Sequence, residues 1–457
     1  MNIYIDTLGC AKNEYDSQML AASLIDRGCR IAVSAEDADI IIVNTCGFIE
    51  AAKRESIERI LELADAAGKN NEGDSDAAKS IKLIVCGCLA EKYHEDLAAE
   101  LPEVDMFFGV NDYDDLPDIL MGSKDANKAD SDLVGSSLDD LRYRKRKFDE
   151  GAHYGYLKIA EGCDNACSFC AIPSIRGPYR SKRIEDCIRE AEDMADAGIR
   201  ELILIAQDTS RYGIDLYGEI KLPELLRKLC KIKGIEWIRL LYVYDNNITD
   251  ELIETIKNEP KICNYIDMPI QHISDDVLKS MRRASRSSSI KATIDKLRTE
   301  IPDVHIRTTL LVGSPSETEK DIEELLDFID EYKIDRLGAF AYSDEDGTAA
   351  YEMEGKNPPE ICEERRRLVM EHQMLVSEAL NEEKIGKTYE VIIDEVVEDN
   401  ETIYIGRSRF DAPDIDCEFT FTGPDEYKPG DIVNVQVGSA YEYDLEGQIV
   451  EETGEKL

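Results

Sequence analysis

EGCDNACSFCAIPSIRG, residues 161–177, carries three cysteines in eight positions, Cys163, Cys167 and Cys170. Asp164, Asn165 and Ser168 stand between the thiols, so this is not an apolar core segment. Thiolates packed this closely need a cation, because unpaired buried charge is prohibitively costly. Zinc in a structural site usually takes four protein ligands, commonly from two paired motifs, and no fourth ligand is near. A four-iron cluster held by three cysteines leaves one iron open for another ligand. The cluster is the preferred reading, with zinc as its alternative.

Around this run the sequence alternates strand and helix patterns. YGYLKIAEG (154–162), ELILIAQD (201–208), IRLLYVY (238–244), YIDMPIQH (265–272), HIRTTLLVG (305–313) and DRLGAFAYS (335–343) are six strand candidates with helices between them. They predict a parallel barrel or partial barrel over 151–381, with the cysteines just after its first strand, where barrel enzymes place their chemistry. Residues 361–385 predict a long closing helix. From 382 to 457 the period changes to short strands with Gly, Pro and Asp turns, which predicts a small antiparallel barrel. Residues 1–120 hold near-continuous Ile/Val runs separated by helices, the pattern of a doubly wound parallel sheet. Between them, 121–150 reads as a polar linker, and its basic run RYRKRKF (142–148) as a solvated face rather than a binding patch.

A second set of thiols is spread through the first 120 residues. Cys10, Cys46 and Cys88 each end a predicted strand, in TLGC, NTCG and VCGC. Adjacent parallel strands bring their carboxyl ends to one crevice, and a glycine beside each cysteine lets the backbone approach closely. A second cluster site follows, against the alternative of three buried structural cysteines. Cys86 shares the face of Cys88 but lies deeper and reads as core. Cys29, Cys187, Cys230, Cys263, Cys362 and Cys417 show no pairing pattern.

The 457 residues include no apolar stretch long enough for a bilayer span, and MNIYIDTLGC has no basic n-region or apolar h-region. A cytoplasmic protein is expected, whose thirteen cysteines are not a disulfide framework. The formal charge of −43 opposes nucleic-acid binding, which rests on neutralising phosphates, and favours a basic protein partner. A solvated acidic surface, or adaptation to salt, is the plainer explanation of the same charge.

TLGCAKNEYDS (7–17), NTCGFIEAAKRESI (44–57), GCLAEKY (87–93), CDNACSFCAIPSIRGPYRS (163–181) and LIAQDTSRYGIDLYG (204–218) together resemble the radical S-adenosylmethionine (SAM) methylthiotransferases. EPKICNYIDMPIQHISDDVLKSMRR (259–283) and DRLGAFAYSDEDGTAAYEM (335–353) extend the likeness. It implies an N-terminal methylthiotransferase domain, a radical SAM barrel and a C-terminal TRAM domain. LGCAKN, IPSIRGPYRS, AQDTSRYG, PIQHISD and GRSRFDAPDID resemble the RimO type within that family, which modifies an aspartate of ribosomal protein S-twelve.

The resemblance implies two 4Fe-4S clusters, on Cys163, Cys167 and Cys170 and on Cys10, Cys46 and Cys88, with SAM as both radical source and methyl donor. A 5′-deoxyadenosyl radical would take hydrogen from the aspartate β-carbon, and the second cluster would deliver methylated sulfur there. Gln207, Asp208, Gln271, His272, Arg307 and Thr309 are expected to line the SAM pocket, or else to make structural hydrogen bonds at the barrel rim. Asp411, Asp414 and Asp416 contact substrate or form a turn. Expected partners are protein S-twelve or the small ribosomal subunit, and an electron donor such as flavodoxin or ferredoxin, with no membrane or RNA partner and a monomeric chain. Departures from the family pattern are Ser314 and Ser316, where an aromatic residue and a glycine are usual, and YVYDNN (242–247), which lacks a proline. From Glu382 onward roughly 21 acidic residues face six basic ones, which suits a basic protein substrate better than RNA. The rivals are a tRNA adenosine methylthiotransferase and an acidic iron–sulfur ribosome-assembly protein.

Overall fold

Ile40–Thr45 and Lys82–Gly87 are almost wholly buried strands, as near-continuous apolar runs require when helices cover both faces of a sheet. The computed structural model describes residues 1–68, 81–122, 141–398 and 402–450. β1 (Asn2–Thr7), β2 (Arg30–Ile31), β3 (Ile40–Thr45), β4 (Lys82–Gly87) and β5 (Met106–Phe108) form a parallel sheet in the order β2-β1-β3-β4-β5. Alternation divides its residues between two cores: Ile41, Val43, Leu83 and Val85 face one way, while Ile40, Ile42, Ile84 and Cys86 face the other. Cys86 is thus core, as expected. Thr7 pairs with Asn44, and Asn44 with Cys86, so the three strands that precede Cys10, Cys46 and Cys88 end at one level.

The second sheet joins β6 (Tyr154–Lys158), β9 (Glu201–Ile205), β10 (Trp237–Leu240), β11 (Ile262–Asp267), β12 (His305–Val312) and β13 (Arg336–Ala341) in that parallel order. All six predicted strands are present, as an open, partial barrel. A small antiparallel pair, β7 (Ala160–Glu161) with β8 (Arg180–Ser181), brackets the cysteine loop. The inner face carries Tyr156, Ile203, Ile205, Trp237 and Tyr265.

Helix Pro359–Glu382 leads into a closed barrel of β14 (Thr388–Glu398), β15 (Thr402–Ser408), β16 (Phe419–Thr422), β17 (Ile432–Ala440) and β18 (Leu445–Ile449), in the order β14-β15-β16-β18-β17. The predicted all-antiparallel pairing is corrected at one place: β16 and β18 run parallel, because β17 intervenes in sequence and pairs with both β14 and β18.

Two further expectations are narrowed, the first to the turn that was one of its two readings. FDAPDID is a docking turn: Asp411 accepts from Arg336 at 2.7 and 3.0 Å, and Asp416 accepts from Tyr265 Oη at 2.6 Å and lies 3.4 Å from Arg307. Of its three acids only Asp414 is exposed, in a left-handed conformation (φ 65°). The basic run 142–148 is a solvated face only in part: Arg142, Lys145 and Lys147 are exposed, as expected, but the others turn inward. Arg146 is buried, pairs with Glu190 at 2.9 Å and stacks on Tyr15 and Phe148, while Arg144 pairs with Asp114. It straps the first domain to the barrel, because planar guanidinium groups pack on aromatic faces while keeping a carboxylate. Much of the rest of the predicted linker, 123–140, lies outside the described residues. Among the described residues no helix is long and apolar enough to cross a membrane.

Candidate functional site

The loop that carries Cys163, Cys167 and Cys170 is closed by its own backbone. Gly162 (φ 78°) passes so near Pro178 that a Cβ would lie 2.1 Å from its carbonyl oxygen, and Cys163 N–H donates to Gly177 O at 3.1 Å. Asp164 Oδ1 accepts from Tyr179 N–H, and Ser168 N–H donates to Met281 O at 3.0 Å. Around the sulfurs, Asn165 N–H points at Cys163 Sγ (3.4 Å), while Tyr244 Oη and Arg283 Nη1 lie 3.8 and 3.9 Å from Cys167 Sγ. Burial raises the Cys163 thiol and pushes Cys170 up to about 12, and the neighbouring thiols add to both. Such thiols hold their protons until a cation replaces them.

The second triplet is built by three glycines. A Cβ on Gly9 would lie 2.6 Å from Cys46 Cβ, one on Gly47 2.8 Å from Leu89 Cα, and one on Gly87 2.5 Å from Thr45 O. Gly9 and Gly87 also take left-handed φ values of 92° and 100°, which L-residues with a Cβ resist. Cys10 precedes helix Ala11–Asp26 and Cys88 opens helix Cys88–Glu100, where free N–H groups favour anions. Burial pushes the Cys46 thiol up to about 11, with Cys10 and Cys88 adding to it, and burial raises Cys88 as well. Cys10 is exposed and Cys46 and Cys88 buried, which leaves one side open.

Among the described residues no three Cys, His, Asp or Glu side chains are disposed to hold a single metal ion. A lone zinc, with bonds of roughly 2.3 Å, draws its sulfurs to within about 4 Å of one another. A four-iron cubane spreads its ligands more widely. An all-thiol donor set, two groups of three, and close backbone approach beside the sulfurs fit the larger group.

Arg176 joins the two sets. It leaves the short helix Ile172–Arg176 just after Cys170, is fully buried, and donates to Asp16 (2.8 Å), Glu161 (3.1 Å), Asn13 Oδ1 (2.9 Å) and Cys88 Sγ (3.3 Å). Lys158 bonds the same two carboxylates at 2.6 Å each. Although burial opposes ionisation, Arg176 and Lys158 hold the Glu161 carboxyl well below the usual range. Cys88 also packs against Ala171, the residue after Cys170, and against Ile175. A second bridge runs from Lys53 and Lys92 to Glu345, 3.2 Å each.

The residues expected to line the SAM pocket separate into two groups. Asp208 and Gln207 stand beside the cysteine loop: Asn165 Nδ2 donates to Asp208 Oδ2 at 3.2 Å and Gln207 Nε2 to Glu161 at 2.8 Å. Gln271, in a left-handed conformation (φ 73°), bridges to Leu310 beside Thr309. His272 is sealed in the barrel wall, its Nδ1 accepting from Ser274 N–H and its Nε2 3.6 Å from Glu317; burial holds it down at about 4, hence neutral. Arg307 is committed to Asp267 (2.9 Å) and Asp416 rather than left free for a ligand. Arg176, Arg283, Tyr244 and Lys12 were not anticipated. Two of them had a local signal: Arg176, six residues after Cys170, and Lys12, two residues after Cys10.

Known proteins resemble this chain domain by domain and along its whole length. The uncharacterized protein family UPF0004 matches residues 2–109, the Radical SAM superfamily 157–329 and the TRAM domain 385–450. Ribosomal protein uS12 methylthiotransferase RimO of Acetivibrio thermocellus is 45% identical over 98% of this chain and 98% of its own length. The RimO protein of Clostridioides difficile is 43% identical over 99% of both. The chain belongs to the RimO family. It is a radical SAM methylthiotransferase, as the resemblance implied. Among solved structures, the radical S-adenosylmethionine methyltransferase TsrM from Kitasatospora setae, with cobalamin and a 4Fe-4S cluster bound, shares the fold with a TM-score of 0.58. It is 13% identical, over 77% of this chain and 74% of that one. RimO relatives thus carry the family, and TsrM the fold alone.

Proposed function

We propose that this chain methylthiolates the β-carbon of an aspartate in ribosomal protein uS12, with SAM as radical source and methyl donor. The observation that carries the reading is the shared seam: Cys88 of one triplet packs against the residue after Cys170 of the other, with Arg176 between their domains. Cys163, Cys167 and Cys170 would hold one 4Fe-4S cluster and Cys10, Cys46 and Cys88 the second. When bound, these clusters and SAM supply the hydrogen-abstracting radical and the sulfur.

The chain's own residues position and insulate. Gly9, Gly47 and Gly87 keep space beside the sulfurs, and Arg176 and Lys158 neutralise Asp16 and Glu161 in the seam. Residues 1–120, 151–381 and 382–457 serve as sulfur-delivery, radical and docking domains, with 121–150 as connector. The acidic C-terminal barrel suits a basic ribosomal protein in the cytoplasm and disfavours RNA. An external one-electron donor is required.

Anaerobically prepared protein should contain about eight irons and eight sulfides per chain, two four-iron clusters. Incubated with SAM and reductant, it should add a methylthio group to uS12 and leave tRNA unmodified by mass spectrometry. About four irons per chain, or methylthiolated tRNA with unmodified uS12, overturns the proposal.

A further inference from the structure

We propose that Lys12 receives the carboxylate of the target aspartate and so selects an acidic side chain; this rests on the aspartate reading above. Lys12 is 8% exposed, yet among the described residues it has no carboxylate partner. The other two buried lysines among the described residues both have one: Lys158 lies 2.6 Å from Asp16 and from Glu161, and Lys182 2.5 Å from Glu190. In a chain with 97 acidic residues, a lysine nine-tenths buried and without a counter-ion marks a place kept for an incoming one.

Its location fits that use. Lys12 lies two residues after Cys10, and its neighbour Ala11 packs against the inner-face cluster of the barrel that includes Ile205, Leu241 and Tyr265. The ammonium rests 3.2 Å above the ring centre of Tyr242, which follows β10 at its carboxyl end. Tyr242 holds a left-handed conformation (φ 59°): its N–H donates to Asp267 at 2.9 Å and its carbonyl accepts from Thr209 N–H and Oγ1. That strained backbone fixes the ring, and the ring holds the cation without neutralising it. The ammonium is therefore poised where the first domain closes on the barrel, near a ligand cysteine. The carboxylate carbon of aspartate is bonded directly to the β-carbon, so gripping the carboxylate fixes the reacting carbon one bond away. A nucleobase offers no such anion.

The test is a double-mutant cycle on the full-length, iron-loaded chain. Affinity is measured for labelled uS12 and for uS12 with the target aspartate changed to asparagine, using wild type, Lys12→Gln, Lys12→Met and Lys12→Arg. Losing one partner of a buried charge pair costs about 30-fold or more. Lys12→Gln and the asparagine substrate should each weaken binding by about that factor, and the two together by no more than either alone. Lys12→Arg should restore most of it. Iron content and the potential of the N-terminal cluster serve as controls, and Lys12→Met replaces Lys12→Gln should that chain fail to fold. Independent, multiplying losses overturn the proposal, as does a shifted cluster potential with unchanged discrimination, which would make Lys12 a counter-charge to the cluster. A wild-type chain that ignores uS12 and modifies tRNA overturns this and the parent reading together, and shows itself before any variant is made.

Discussion

Replacing Arg176 by Gln tests the seam on which the two cysteine sets meet. The guanidinium serves Asp16, Glu161, Asn13 and Cys88 Sγ at once, all within 3.3 Å and all buried. Lys158 would still hold Asp16 and Glu161 at 2.6 Å, so two carboxylates would share one cation and a single buried negative charge would be left over. Removing one partner of a buried pair costs about 3–5 kcal/mol. Because the partners lie in different domains, the loss falls on docking of the first domain to the barrel. Amide hydrogen exchange in Ala11–Asp26 and Cys88–Glu100 should quicken by about two to nearly four powers of ten, while β9 and β10 stay protected. In the iron-loaded protein the lost N–H···S contact also removes positive charge from beside a ligand sulfur, so the N-terminal cluster should become harder to reduce. Unchanged exchange in both helices would show that the network carries no docking energy and would refute the reasoning.

Three other outcomes follow from particular residues. Gly87→Ala forces a Cβ to within 2.5 Å of Asn44 Oδ1 and Thr45 O at φ 100°, so it should cost about 2 kcal/mol or more in thermal unfolding and lower iron toward four per chain. Ser316 sits at φ 67°, where the family pattern has glycine, and Ser316→Gly should stabilise the chain by about 1 kcal/mol, read as a higher unfolding temperature. His272, held at about 4 by burial with Arg365 adding, favours its neutral form in the fold; its contribution is complete above pH 6.5 and is lost as pH falls toward 4, by up to about 3 kcal/mol. Unfolding temperature should therefore drop more steeply between pH 7 and 5 in wild type than in His272→Gln, and parallel curves would refute this.

Much of the architecture was legible in order along the chain. Strand runs such as ELILIAQD and HIRTTLLVG announce the barrel, because a strand buried on both faces or half-buried leaves its period in the residues themselves. The eight-residue spacing of Cys163, Cys167 and Cys170 is equally local, and the strand-end positions of Cys10, Cys46 and Cys88 follow from parallel pairing. What no local pattern holds is which distant charges meet. Asp411 and Asp416 read alike as substrate contacts or turn acids, and Arg336 and Arg307 claim them; Arg142–Phe148 reads as a solvated run, yet Glu190 and the Tyr15 ring bury Arg146. His272 read as a pocket residue or a structural one at the rim, and it is sealed beside Glu317. Hydrophobic period and ligand spacing are written within a few residues, whereas ion pairs across domain seams depend on desolvation that exists only after the domains have packed.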